Sequence, residues 1–382
     1  MTLCLFGRRA YVNRTLVISG AMSLALMVAP RLHAGEPLDT EAGGKAESEV
    51  SAAGTAADMD RPVKVYILMG QSNMFGFGKV AGPDAKGTLE YTTQKENNYP
   101  NVVDAEGNWV VRKDVRYVHV MQSRPMKVLR NEWLTVGGEF VGPELQIGHL
   151  LGDYHEEPVL ILKACIGNRS LGWDYLPPGS ERFEYRGKTY CGYRDVKYCW
   201  PKSEEPDTDW MNANWYAGKQ YDDDVSYARN VLADLQTYYP GAKGYEVAGF
   251  FWWQGHKDQD KVLASRYERN LVRFIKALRK DFKVADAPFA LATIAFGGRR
   301  MSGVTLQIAK AQLAVSGEKG KYPEFKGNVK CADARKFWQP RRRSPGGGGH
   351  HYNLNALTYM DVGNAMGKAM LELIKGEDAS IE

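Results

Sequence analysis

The sequence predicts an α/β fold, a single three-layer α/β/α domain with a mostly parallel five-stranded sheet. Three observations lead there. Short apolar runs stop abruptly at glycine or a polar turn, as Val63 to Met69 does at Gly70, and this is the pattern of strands covered on both faces. Between those runs lie amphipathic stretches of helical length, the alternation that places helices on both sides of a parallel sheet. At 382 residues, 44% hydrophobic and 25% charged, the chain has the ordinary composition of a globular protein with a sizeable core.

The first residues stand outside that domain. Arg8, Arg9 and Arg14 precede an apolar run from Leu16 to Ala29, and Leu32-His33-Ala34 offers a small-residue cleavage site. This is the pattern of a secretory signal peptide over residues 1–34, which makes the protein exported, periplasmic or secreted, with no membrane attachment after cleavage. Residues 35–61 are rich in Ala, Gly, Glu, Ser and Thr without an apolar period, the composition of a disordered linker. The domain proper is expected over 62–376.

Within it, the predicted strands are Val63 to Met69, Val159 to Ile166, Val247 to Trp253, Phe289 to Phe296 and Asn328 to Ala332. The helices are Pro143 to His155, opened by Pro near its first position, then Val225 to Tyr238, Leu263 to Phe282, Val304 to Val315 and Asn355 to Ile374. Asp222, Asp223 and Asp224 precede the second of these, suited to its positive end. The polar stretch from Gly78 to Arg130 reads as an elaborated surface region. Five strands joined in this way fit a flavodoxin-like sheet. Residues 173–221 interrupt the alternation, and a loop of that length is functional or disordered as a rule. It carries a dozen Trp, Tyr and Phe residues, whereas disorder is poor in aromatics. Two readings stay open: a carbohydrate platform, since sugar C–H faces stack on rings, and a lid packed on its own aromatic core.

Charge and cysteine content narrow the partners. The formal charge is +5, and residues 1–34 hold four Arg and no acid, so the mature chain is close to neutral. The one dense basic run, Arg341-Arg342-Arg343, is too short to argue for nucleic acid. Cys191 and Cys199 bracket one polar loop of an exported chain, which favours a disulfide there. No Cys-x-x-Cys or His/Cys cluster has zinc-site spacing, so no structural metal is expected.

Ser72 lies just past the carboxyl end of the first strand, where open α/β sheets bind ligands. As a bare turn, Gly70-Gln71-Ser72-Asn73 would read as a helix cap. Gly-Gln-Ser-Asn-Met after an apolar strand, however, resembles the first block of the SGNH hydrolases, in the branch of sialate O-acetylesterases and carbohydrate esterases that deacetylate xylan. Ala164-Cys-Ile-Gly-Asn-Arg-Ser-Leu-Gly-Trp173 is similar to the second block and Trp252-Trp253-Gln254-Gly255 to the third. The resemblance spans Val63 to Leu373. A Gly-x-Ser-x-Gly elbow, the mark of the α/β-hydrolases, is absent from the sequence.

The resemblance implies a serine esterase removing O-acetyl groups from carbohydrate, its catalytic residues Ser72 and His351, with His350 in reserve. The chemistry so implied requires no cofactor. It implies oxyanion donors in the Ser72 and Gly167 amides and the Gln254 side chain. Gln71, Asn73, Arg169, Trp173 and Trp253 are candidates for substrate contact. Two positions depart from the family pattern: Gly348 stands where Asp usually precedes the histidine by three, and His256 follows Gly255 where Glu is common. The orienting acid must then come from elsewhere, with Asp258, Asp333 and Asp361 as candidates, or the base works as a Ser-His dyad. A carbohydrate-binding protein on a decayed esterase scaffold is the rival reading.

Overall fold

The computed structural model describes residues 56–123, 125–196, 215–347 and 349–376. In chain order the strands are β1 (Val63–Gly70), β2 (Gly78–Lys79), β3 (Arg112–Met121), β4 (Lys127–Leu134), β5 (Phe140–Val141), β6 (Val159–Cys165), β7 (Phe183–Tyr185), β8 (Lys188–Tyr190), β9 (Tyr245–Trp253), β10 (Phe289–Ala292) and β11 (Val329–Ala332). The helices are α1 (Ser72–Phe75), α2 (Leu89–Gln94), α3 (Glu144–Tyr154), α4 (Lys219–Ala233), α5 (Leu235–Tyr238), α6 (Lys261–Asp281), α7 (Gly303–Ala314) and α8 (Ala356–Lys375).

β1 sits in the middle of the main sheet because every one of its residues but Lys64 is buried. Its alternate side chains feed two separate cores. Val63, Val65, Ile67 and Met69 join the residues of α4, α6 and α7 on one face, while Tyr66 and Leu68 join α3 and α8 on the other. Fully burying a residue of this size contributes about 1.5–3 kcal/mol, so a strand apolar on both sides is held by both layers at once. The three-layer expectation is met.

The sheet has seven strands in the order β11-β10-β9-β1-β6-β3-β4, which corrects the expected five. All pairings are parallel except β3 with β4. The two additional strands come from the stretch read as polar surface. Its pattern was hidden because Arg112 and Asp114 are buried as an ion pair at 2.5 Å, with Arg112 also reaching Asp153, so charged letters occupy interior positions. β4 is an edge strand that is mostly half-exposed, which removes the apolar run a central strand would show.

α4 begins at Lys219, ahead of the expected start, so Asp222 to Asp224 lie within it. Asp224 is buried and accepts from Gln220 and from the Tyr175 hydroxyl. Part of the aromatic insertion is described. Phe183 and Tyr190 stack across the β7–β8 hairpin at 5.2 Å, and Trp173, Leu176, Cys191, Trp215 and Ala217 form a small core of their own. This favours the self-packed reading for those residues. The signal expected over 1–34, the expected linker (35–61) as far as residue 55, and Tyr198, Cys199, Trp200 and Trp210 lie outside the described residues, and with Cys199 the expected disulfide. The last residues of the expected linker are tied to the domain, Asp58 N–H donating to the Glu156 carbonyl at 2.7 Å and Arg61 pairing with Glu157 at 2.6 Å. Among the described residues no helix is long and apolar enough to cross a membrane.

Candidate active site

Strand register assembles the site. Gly70 at the end of β1 pairs with Cys165 at the end of β6 and with Trp253 at the end of β9. The three turns that follow, Gln71-Ser72, Ile166-Gly167 and Gln254-Gly255, are therefore neighbours at the carboxyl edge, where the strand order reverses about β1. Gly70 is required there: its φ is +155°, and an added Cβ would lie 2.4 Å from the Trp253 carbonyl oxygen and 2.8 Å from Met74 Cβ.

Ser72 is the first helical residue of α1, with Gln71 at the capping position. Its side chain is almost buried, 8% exposed, and Ser72 Oγ makes no hydrogen bond with the described residues. A Cβ placed on Gly167 would lie 3.6 Å from Ser72 Cβ, so the two backbones are side by side. Neither the Ser72 nor the Gly167 N–H is taken by a backbone carbonyl among the described residues. Two unengaged donors beside a serine are the elements of an oxyanion site. The far end of α1 is fixed by Lys163, which is fully buried, donates to the Phe75 carbonyl at 3.2 Å and pairs with Glu144 at 2.5 Å.

Gln254 has a different task from the one expected. It is 1% exposed, and its Nε2 donates toward Asp258 Oδ2 at 2.6 Å, the Arg169 carbonyl at 2.8 Å and Gln71 Oε1 at 3.1 Å. Its Oε1 accepts from the Tyr267 hydroxyl at 2.9 Å. An amide nitrogen has two protons, and the charged carboxylate attracts one of them most strongly. Gln254 thus ties the three turns together. Gln71 Oε1 completes the tie by accepting from Lys257 N at 3.2 Å.

The histidine loop reaches the same edge from the segment before α8. His351 lies flat on Phe77, ring centroids 4.0 Å apart and planes 2° apart. His350 is 4.1 Å from His351 and 5.8 Å from His256. The Tyr359 hydroxyl meets Asn73 Oδ1 at 3.1 Å and the His351 carbonyl at 3.4 Å, linking the serine turn to the histidine loop. After His351 the backbone runs left-handed through Tyr352, Asn353 and Leu354, at φ of 50°, 57° and 59°. Tyr352 holds that turn, stacked between Trp253 at 5.2 Å and Phe296 at 4.8 Å.

Burial, and then the charges of His350 and His256, push His351 down to about 4, leaving it neutral across most of the pH range. Among the described residues no carboxylate pairs with it. Asp258 is wholly buried and accepts from the Leu171 and Gly172 amides, each at 2.8 Å, as well as from Gln254, and burial raises it to about 7. Asp333 grips Arg335 at 2.6 Å. Asp361 accepts from the Tyr99 hydroxyl at 2.5 Å. All three expected orienting acids have hydrogen-bond or ion-pair partners other than the imidazole.

The expected substrate contacts also move inward. Trp253 is fully buried and donates to the Thr293 carbonyl; Trp173 belongs to the small aromatic core. Gln71 and Asn73 are buried connectors. Arg169 is 7% exposed, bonded to Gln220 and Gln122 and set 4.6 Å over the Trp215 ring. Sequence reasoning missed Phe77 and Tyr359. The only signal was an aromatic between two glycines, Gly76-Phe77-Gly78, just past the serine.

The comparisons bear first on class: part of the chain is similar to carbohydrate esterases. Residues 207–372, somewhat under half of the chain, match the family model described as carbohydrate esterase, sialic acid-specific acetylesterase, so the resemblance read from the sequence holds in its carbohydrate-acetylesterase branch. The matched segment contains Gln254 and His351 and begins after Ser72 and Gly167. Solved structures similar in fold include a protein from Arabidopsis thaliana (17% identity, TM-score 0.47, 82% of this chain and 99% of that one). They also include a carbohydrate acetylesterase from Xanthomonas citri (14%, 0.47, 82% and 57%) and NanS (15%, 0.43, 83% and 99%). No curated protein matches the sequence.

Proposed function

We propose that the chain is an exported serine esterase that removes O-acetyl groups from a carbohydrate through an acetyl-enzyme. The observation that carries this reading is the register of Gly70 with both Cys165 and Trp253, which sets Ser72 beside the Gly167 amide. His351 takes the Ser72 Oγ proton, the oxygen attacks the acetyl carbon, and the Ser72 and Gly167 N–H groups receive the oxyanion. Collapse expels the sugar alkoxide, which takes the proton from His351. Water then attacks the acetyl-serine with His351 as base again, and acetate leaves. Gln254 contributes by holding the three turns in place.

With no acid among the described residues paired to His351, the base works as a Ser-His dyad whose ring is set by packing on Phe77. A carboxylate partner stabilises imidazolium, so its absence lowers the rate without abolishing the reaction. That same absence supports the second reading, a carbohydrate-binding protein on an esterase scaffold. The proposed organisation is a signal over 1–34, a linker over 35–61 and a catalytic domain over 62–376.

An acetate-release screen over acetylated xylan, acetylated pectin and O-acetylated sialic acid tests the reading. Release from at least one, abolished by at least about a thousandfold in Ser72→Ala, is expected. Wild-type protein that turns over neither these nor an activated acetyl ester is a binder.

A further inference from the structure

The sequence shows one short basic run, but the fold adds to it. The loop at Gly298–Arg300 follows β10, and a Cβ on Gly298 would lie 3.1 Å from the Arg335 carbonyl and 3.3 Å from Trp338 Cβ. From Trp338 the chain passes through Arg341–Arg343, whose last carbonyl is held by Asn355 Nδ2 at 2.9 Å. It then returns to His350 against His256. Next to His256 stands Lys257, whose own N–H is bonded to Gln71 in the serine turn.

Lys257, Arg299, Arg300, Arg341, Arg342 and Arg343 are all exposed, and none forms an ion pair with a described residue. The sequence explains why. There is no acid between Asp286 and Glu318 or between Asp333 and Asp361. Asp333 is taken by Arg335, and Asp361 by Tyr99. Asp174, which feels Lys257, is buried against Ser170. Lone surface cations are ordinary, and an isolated pair is worth little. Six on three loops, with no acid of the intervening sequence to pair them, make a local field that attracts anions.

We propose that this rim binds a polyanionic carbohydrate chain, one whose repeating carboxylate or sulfate groups extend from the sugar deacetylated at Ser72. This rests on the esterase reading. Guanidinium groups suit both anions, because their fork matches two oxygens at once. Nucleic acid fits less well: the rim is short, whereas a duplex presents charge continuously.

The test is affinity electrophoresis of the mature chain through gels holding polygalacturonate, dextran sulfate, neutral dextran or a short DNA duplex. Retardation by polygalacturonate or dextran sulfate and not by neutral dextran is expected, and the stronger of the two identifies the anion. Two separate variants, Arg299→Gln/Arg300→Gln and Arg341→Gln/Arg342→Gln/Arg343→Gln, should each weaken that binding about tenfold while melting as wild type does. Their ratio of kcat/KM on acetylated polygalacturonate to that on acetylated xylan should fall likewise. Equal retardation by neutral dextran, duplex DNA bound as tightly as either glycan, or either well-folded variant binding like wild type overturns the proposal. Wild-type protein that binds the anionic glycans but cleaves no acetyl ester overturns the esterase reading instead.

Discussion

Phe77 and His351 lie face to face, ring centroids 4.0 Å apart and planes 2° apart. A carboxylate normally fixes the ring of a catalytic histidine by a hydrogen bond; here a phenyl face does so by contact, worth about 0.5–1.5 kcal/mol beyond its buried area. Such a contact sets the plane of the imidazole but leaves the choice of protonated nitrogen open.

Replacing Phe77 should therefore act on turnover rather than binding. Phe77→Leu is expected to lower kcat by about tenfold to a hundredfold with KM little changed, the size of effect a small misplacement of a base produces. Phe77→Tyr keeps the ring and should stay within about threefold of wild type. Steady-state kinetics on an activated acetyl ester checks both. Equal losses in the two variants would mean that stacking is not what positions His351.

Gln254 separates a structural from a catalytic role. Gln254→Ala leaves the buried Arg169 carbonyl short of its donor and takes one donor from Asp258, which keeps the Leu171 and Gly172 amides, and from Gln71 Oε1, which keeps the Lys257 N–H. A buried group left without its donor costs about 1–3 kcal/mol. Denaturant unfolding should show a stability loss of about 3 kcal/mol. An oxyanion donor would behave in the opposite way, costing kcat at unchanged stability.

The acid limb of the pH profile follows from His351, which accepts a proton only when neutral. Its depressed value, about 4, means that kcat/KM should hold steady as pH falls through the usual histidine range and drop only on approaching pH 4. Removing a neighbouring charge with His350→Asn should move that limb upward. A wild-type limb near the ordinary histidine value of about 6.5 would contradict the assignment.

The three acids should not behave alike. Asp333→Asn and Asp361→Asn are expected to stay within about threefold of wild-type kcat, since their partners are Arg335 and Tyr99 rather than the base. Asp258→Asn turns an amide nitrogen toward donors that need an acceptor, so it should unfold more readily. Thermal melting beside kinetics distinguishes the cases.

The central strands were legible because β1, β6 and β9 are largely buried and read as apolar runs, interrupted by single charges such as Lys64 and Lys163, that stop at glycine or glutamine turns. β3 escaped because its interior holds an Arg–Asp pair, and composition cannot tell a buried ion pair from a solvated one. For the site, the positions of Ser72 and Gly167 follow from strand ends, which sequence locates well. The work of Gln254, Trp253 and Phe77 depends on which way each side chain turns. That is decided by partners the local sequence does not name, some of them far away in the chain, such as Gln71 for Gln254 and His351 for Phe77.

Three consecutive non-glycine residues in left-handed backbone, Tyr352 to Leu354, each cost about 1–3 kcal/mol. They persist because Tyr352 is clamped by rings that come from β9 and from the loop after β10. The turn therefore cannot form before those strands are in place, and it has no reason to survive their separation. The base is thereby timed as well as placed: during folding it is delivered after the sheet has closed, and on heating it departs with the sheet. Loss of ester cleavage and loss of the core should trace one and the same transition.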